Sequence, residues 1–351
     1  MKKRLLTLTA ITCLSLALAC PGTALAKSYD LVSNLTQTSF QGKLTLNLVK
    51  DIENATSGKI TFNWHDAGDL IPVNMHLTSV STGAVPAAMT WLGYFSGTVP
   101  STKFFAGYPF APKAEHWLTW MFDGEGYDLL QESMAPLNIV ALPCFFFPAE
   151  TGGFFKKAVT KPEDFQGLRF RIGGWGGDVA AKLGAVVNQI PGNELYLAME
   201  RGRIDAMEFS SPVVDESWGF QKVSDYYYFP GWHNTGAWNH LLINKKVWDS
   251  FTDLEREQIQ IACRSFLLRC LTDVNAKQVD ALERIKSGSN IKVERLSDEI
   301  ILALYAAWKE VLAEDLAKYP DIKKAYESLD AHVKKMAEYD ALQDMSIVEG
   351  K

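Results

Sequence analysis

The sequence predicts an α/β fold divided into two lobes, each a mixed, mainly parallel sheet flanked by helices, with long helices at the C-terminus. Three observations lead there. Helical and strand-like periods alternate through the first half of the chain and again, in the same style but without repeated sequence, through the second. The 351 residues exceed what one hydrophobic core supports, while 47% hydrophobic composition is ample for two. Beyond Asp253 the pattern becomes that of long amphipathic helices.

The N-terminus reads as an export signal. Lys2, Lys3 and Arg4 precede an apolar run from Leu5 to Ala19, and Ala24-Leu25-Ala26 offers small residues for cleavage, so the mature chain is expected to start at Lys27. Cys20 raises a lipid anchor as the alternative, but Ala17-Leu18-Ala19 is a poor lipobox. The run is too short for a lasting span, and no later stretch approaches the ~20 apolar residues that a span needs. Loss of three cations moves the formal charge from −6 to −9. Without clustered Lys/Arg, nucleic acid is a poor partner.

From Lys43 to Asn54 the residues Leu44, Leu46, Leu48, Val49 and Ile52 follow helical spacing, stopped by Ser57-Gly58. Ile60 to Trp64 alternates as a strand, Leu77 to Thr82 reads as a short helix, and Ala87 to Trp91 as a buried strand. In the second half, Leu168 to Ile172 alternates as a strand before the glycine loop Gly173 to Gly177, and Asp178 is a candidate cap for a helix through Leu183. Asn193 is a second candidate cap, for a helix ending at Gly202, and Ile204 to Phe209 follows as a strand. Asp253 to Ser287 is one long helix or two, and the chain from Asp298 is again helical with a break at Pro320.

Cys144, Cys263 and Cys270 remain after cleavage, an odd number. Cys263 and Cys270, seven apart on one helix, lie about 10 Å apart by helical rise, beyond disulfide reach. All three are expected as buried thiols, and no Cys/His spacing for zinc occurs.

In open α/β sheets ligands bind beyond the carboxyl ends of the strands. Arg171 lies at such an end, directly before the glycine loop, where its planar fork suits a carboxylate; an exposed ion pair is the other reading. Glu208 sits among apolar neighbours, a costly place for a carboxylate unless a cation compensates it, so it reads either as a metal ligand or as a salt-bridged core acid. Aromatic residues are dense from Tyr226 to Trp232 and at Trp91, Tyr94, Phe104 and Phe105; most belong to cores, and one or two, such as Tyr94 or Trp232, wall a pocket. His233 and His240 have no partner identifiable in the sequence and read as structural.

The run Phe165-Gln166-Gly167-Leu168-Arg169-Phe170-Arg171-Ile172-Gly173-Gly174, then Leu183-Gly184-Ala185 and Glu194 through Glu208, resembles the substrate-binding proteins of tripartite ATP-independent periplasmic (TRAP) transporters. Weaker matches at Ala67 to Pro72, Tyr108-Pro109-Phe110, Pro230-Gly231-Trp232 and Ile243-Asn244-Lys245 extend the likeness over nearly the whole mature chain. Within that family it is similar to members that bind 2-oxo or 2-hydroxy monocarboxylates with a metal ion. The resemblance implies the two-lobed periplasmic binding protein fold, with lobe I from 27 to 148 plus about 232–275, lobe II from 149 to 231 plus about 276–315, and a helical extension over 316–351. It implies that Arg171 pairs with the substrate carboxylate, that Glu208 and the Phe209 carbonyl hold Ca²⁺ or Na⁺, and that Tyr94, Trp232 and Phe209 line the substrate.

Two departures bear on the site. Glu150 stands before Gly152-Gly153-Phe154-Phe155 where those relatives carry Gln, and Asn234 stands where they tend to carry an acid. One carboxylate is gained and one lost, which makes Glu150 and Asn234 candidates for both metal and substrate. If that alignment fails, the expectation becomes another C2–C4 anion, such as a sulfonate, bound without metal. The implied partners are a small organic acid and the transporter's membrane subunits, with a homodimer through the helical stretch Leu302 to Leu342. An exported enzyme is the rival from another class, and a sensor ectodomain the third reading. Gly174 to Val179 lacks the last small residue of a dinucleotide fingerprint, and neither a phosphate loop nor a nucleophile elbow is present, so the chain is read as a binding protein without catalysis.

Overall fold

The computed structural model describes residues 26–344, so the expected export signal lies outside the described residues. In chain order the strands are β1 (Lys27–Ser33), β2 (Ile60–His65), β3 (Ala87–Trp91), β4 (Ile139–Phe147), β5 (Gly153–Phe155), β6 (Arg169–Arg171), β7 (Val186–Asn188), β8 (Ala206–Met207), β9 (Tyr226–Phe229), β10 (Ala237–Asn244) and β11 (Lys292–Arg295). They form two sheets, ordered β2-β1-β3-β10-β4 and β11-β9-β5-β8-β6-β7. Pairing is parallel across β2-β1-β3, β11-β9 and β8-β6-β7, and antiparallel where β10 and β5 join their neighbours. Each sheet therefore needs crossovers, which the intervening helices supply.

Local chemistry explains the helix boundaries. Ser39 accepts the Gly42 amide and starts Phe40–Ala55, whose Leu44, Leu48 and Ile52 recur every four residues on the buried face. Thr252 and Glu255 form a reciprocal capping box that starts one uninterrupted helix, Asp253–Ser287. At 35 residues it runs to about 50 Å. Its first turns bury Ile259, Cys263 and Phe266 with the first sheet, while Ile285 packs with the core of the second. The helices Asp298–Lys318 and Pro320–Gln343 meet at Pro320, as expected. Trp308 meets Trp175 edge to face, and Ile322, Ala325 and Leu329 join the cluster of Phe104, Trp117 and Trp120, so this pair docks on the chain's own lobes rather than standing free. Among the described residues no helix is long and apolar enough to cross a membrane.

Four sequence expectations are corrected. The helix expected to begin at Asp178 begins at Gly174, and Asp178 lies inside it, paired with Lys103 at 2.6 Å. Asn193 does not cap its helix, which opens at Gly192 behind Pro191; its amide instead reaches the Ala67 carbonyl. The strands over 168–172 and 204–209 shorten to Arg169–Arg171 and Ala206–Met207, because the chain turns away from the sheet to deliver the next side chains into the cleft. Cys144 and Cys263 are not free thiols: they form a disulfide between β4 and the long helix, 119 positions apart in sequence, and among the described residues only Cys270 stays reduced, buried.

Candidate binding site between the two sheets

Strand ends build the site. Asn34 follows β1, Trp91 ends β3, Glu150 follows β4, Arg171 ends β6 and Glu208 follows β8, so side chains from both sheets converge where their strands stop. They line a cavity of about 40 Å³ together with Gln41, Tyr94, Phe147, Phe209, Ser210, Asn234 and Asn239. At about 10–15 Å³ for each water-sized occupant, such a cavity suits a small solute of a few heavy atoms. A wider groove of about 840 Å³ between Gly68–Thr78 and Gln189–Glu194 shares the Tyr94 wall.

Arg171 is only 3% exposed. Its Nε donates to the Ile190 carbonyl at 2.9 Å, and Nη1 donates to the Glu208 carbonyl at 2.6 Å and to Glu208 Oε1 at 2.9 Å. Among the described residues Nη2 has no hydrogen-bond partner. Three protein contacts hold the fork rigid and leave one nitrogen for a ligand oxygen. The Phe209 ring lies 5.7 Å from the guanidinium carbon. Gly173 lets the following turn come close, since a Cβ there would meet the Trp91 ring at 2.9 Å.

Behind the arginine lies a carboxylate cluster organised by His233. Its Nε2 is 3.0 Å from Glu150 Oε2 and 2.9 Å from Glu208 Oε2, and all three side chains are buried. Asn234 Nδ2 donates to the same Glu150 oxygen at 2.9 Å. Glycine at 231 is required by this crossing, because a Cβ would collide with the Glu150 backbone carbonyl. Burial alone would lower the His233 pKa, but the Glu208 and Glu150 carboxylates outweigh it and raise it to about 9. Burial likewise works to raise Glu208, and His233 with Arg171 overrides it, holding that carboxyl below its ordinary value; Glu150 stays above its ordinary value through burial. Two cations thus face two carboxylates. A third acid, Asp215, is pushed well up by burial and accepts the Tyr227 hydroxyl at 2.8 Å.

Only with the His233 proton displaced would this set offer a cation a nitrogen as well as oxygens: one Glu150 oxygen, one Glu208 oxygen and His233 Nε2 lie within 4.8 Å of one another, and no hydrogen bond from the described residues reaches the Phe209 carbonyl. Asn234, expected as a metal and substrate ligand, lines the cavity and orients Glu150 through its amide nitrogen.

Arg171, Glu150, Glu208, Tyr94, Phe209 and Asn234 therefore come together around one cavity. Trp232 does not: its ring is buried between Phe110 and His233, because the turn after Pro230 sends the next residue inward. His233, read from sequence as structural, is the residue so delivered, while His240 is buried inside β10 with no hydrogen-bond partner for its ring among the described residues. Sequence reasoning also missed Asn34, Gln41 and Asn239, ordinary polar residues whose place at the cavity follows only from how β1, the helix Phe40–Ala55 and β10 pack together.

Residues 31–319 match the DctP family of bacterial extracellular solute-binding proteins, family 7. A monocarboxylate 2-oxoacid-binding periplasmic protein of Nostoc sp. is 31% identical over 299 residues, covering 85% of this chain and 82% of that protein. A TRAP solute-binding protein of Bordetella bronchiseptica, a dimer carrying calcium and picolinate at one of its sites, superposes with a TM-score of 0.87 at 29% identity, over 92% of this chain and 98% of the other. One of Pseudoalteromonas atlantica with bound sodium and pyruvate gives 0.87 at 26% identity, over 93% and 99%.

Proposed function

The chain belongs to the DctP family, the solute-binding proteins of TRAP transporters, and from that membership and the cleft geometry we propose that it captures a 2-oxo or 2-hydroxy monocarboxylate of two to four carbons between its lobes. Arg171 carries this reading: a buried guanidinium held by three protein contacts keeps one nitrogen for an incoming oxygen. The solute carboxylate pairs with Arg171, while Tyr94, the Phe209 ring and the amides of Asn34 and Asn234 bound its remaining atoms. The small cavity favours the short acids over extended ones.

A cation accompanies the solute, held by Glu208, Glu150 and the Phe209 carbonyl, and supplies positive charge beside the solute's oxygens. Calcium or sodium is present in the pyruvate and picolinate complexes of relatives. Binding proceeds by closure, because a ligand touching both lobes stabilises the closed form only by its differential affinity for it. Closure removes water from the Arg171 pair and strengthens it. The protein is a carrier of its ligand, not a catalyst; its family hands small anions to transporter membrane subunits in the periplasm. Export through a signal cleaved before Lys27 and lobe boundaries near 148, 231 and 275 belong to the same proposal, the latter supported by the division of the strands between two sheets.

We further propose a homodimer. The Bordetella relative is a dimer. The expected dimer face over Leu302–Leu342 is partly consumed by the chain's own lobes, whereas Leu254, Ile261 and Leu268 form an exposed stripe on the long helix.

Calorimetry on chelator-stripped protein tests the ligand, titrating pyruvate, 2-oxobutanoate, lactate, malonate and a small sulfonate, each with and without Ca²⁺. Binding of at least one monocarboxylate, tightened by the ion, is expected. A protein that ignores monocarboxylates but takes the sulfonate without metal would establish the alternative ligand class.

A further inference from the structure

We propose that Tyr94 sets the chain length of the acid: its ring is the partition between the inner cavity and the wider groove, and it confines the protein to solutes whose tail ends there. This rests on the reading of the cleft as a monocarboxylate site and adds which acids that site refuses, and through which residue.

The two spaces differ greatly in size, about 40 Å³ beside Arg171 against about 840 Å³ in the groove. Among the described residues only Tyr94 lines both. The other walls of the inner cavity have protein behind them. Leu35, Phe147 and Ala237 are buried. Phe209 is backed by the rings of Trp218 and Phe220, and Trp91 stands against Gly173. A solute anchored at Arg171 therefore has open space to grow into only behind Tyr94.

The ring is held in place. Trp91 meets it edge to face with centroids 5.1 Å apart, and the Trp91 indole N–H donates to the Ala106 carbonyl at 3.1 Å. Glycine at 93 leaves room for that indole, since a Cβ there would collide with it. The Tyr94 hydroxyl lies beside the Asn34 side chain, which follows β1, and beside the backbone amide of Gly192, which opens a helix on the side of the second sheet. Tethered on both sides of the cleft, the ring resists displacement by a longer tail. Beyond it the groove offers apolar wall from Pro72, Val73, Met75 and Pro191, and among the described residues no Lys or Arg lines it. An uncharged aliphatic tail is the kind this wall accepts.

Calorimetry on the full mature chain with Ca²⁺ present tests this, comparing pyruvate with 2-oxooctanoate, whose tail must run past position 94 into the groove. One methylene too many in a closed pocket already costs about 10- to 200-fold, so the wild type is expected to bind 2-oxooctanoate at least about 100-fold more weakly than pyruvate. Tyr94→Ala is expected to shrink that ratio at least about 30-fold, and Tyr94→Phe, which keeps the ring, to leave the ratio within about threefold. A wild-type protein that takes both acids equally well overturns the proposal without any variant. An unchanged ratio in a folded Tyr94→Ala protein also overturns it, as does a Tyr94→Phe ratio that falls as far as that of Tyr94→Ala. In those cases pyruvate is still bound and the monocarboxylate reading stands; a wild-type protein that binds neither acid overturns both.

Discussion

Arg171 shows how much one residue's meaning depends on what surrounds it. It compensates Glu208, so truncation would do two things at once: remove the ligand's partner and leave a buried carboxylate supported only by His233 and the Gly173 amide. Breaking a buried pair from one side costs about 3–5 kcal/mol, enough to confuse lost binding with lost folding. Arg171→Lys separates them. A lysine keeps the charge beside Glu208 but cannot reach the Ile190 carbonyl, Glu208 and a ligand oxygen together, as the arginine fork does. Affinity for the preferred acid is expected to fall about 30- to 150-fold in calorimetry, corresponding to roughly 2–3 kcal/mol for a charge-assisted bond, while the far-ultraviolet spectrum stays native. Unchanged affinity would remove Arg171 from the ligand's contacts. The sequence alone exposed this arginine, because a strand end before a glycine loop is a local signal. It concealed His233, whose meaning lies in Glu150, 83 positions away, and in Glu208 on the other sheet. Trp232 was the mirror error: an aromatic beside the site that spends its surface on packing.

At the scale of elements, what was legible followed the strength of local signals. The long helix carries a capping box and a start at Asp253 that the sequence announces, and Pro320 marks the break between the last two helices. Short strands were harder, since β6 and β8 hold only Arg169–Arg171 and Ala206–Met207 and their limits are set by neighbouring strands. The Cys144–Cys263 link escaped because spacing along one helix says nothing of a strand packed across it. The long helix also bears a stripe that no part of its own chain covers: Leu254, Ile261 and Leu268, each more than half exposed and seven residues apart. Seven-residue spacing drifts only about 20° per repeat, so the three lie along one line suited to a second helix. Ile261→Glu with Leu268→Glu is expected to convert a dimer into a monomer in light scattering at tens of micromolar protein. The melting temperature should move by no more than about 2 °C, as these exposed side chains contribute little to the monomer. A wild-type protein already monomeric at that concentration, or a variant still dimeric, would rule the stripe out as the interface.

For the molecule as a whole, binding is an equilibrium between open and closed lobes, and some bonds across the cleft act on that equilibrium without touching the ligand. Gln189, beyond β7 of the second sheet, donates to the Gly93 carbonyl beyond β3 of the first at 2.9 Å, and Asn193 donates to Ala67 at 3.3 Å. These join loops of the two lobes at the rim of the wider groove, through side chains that make no hydrogen bond to Arg171 or His233. Each neutral hydrogen bond contributes about 0.5–1.5 kcal/mol, so losing both from the closed form should weaken apparent affinity about 5- to 150-fold. The apparent dissociation constant scales inversely with the closed fraction, which makes the loss independent of ligand identity. Gln189→Ala with Asn193→Ala is therefore expected to weaken every acid that the protein binds by the same factor, whereas Arg171→Lys changes affinity according to each acid's contacts. Small-angle scattering should show the double variant needing more ligand to reach the compact profile, which it still attains at saturation. Equal ligand dependence of the scattering in variant and wild type would mean that closure is governed by the buried site alone.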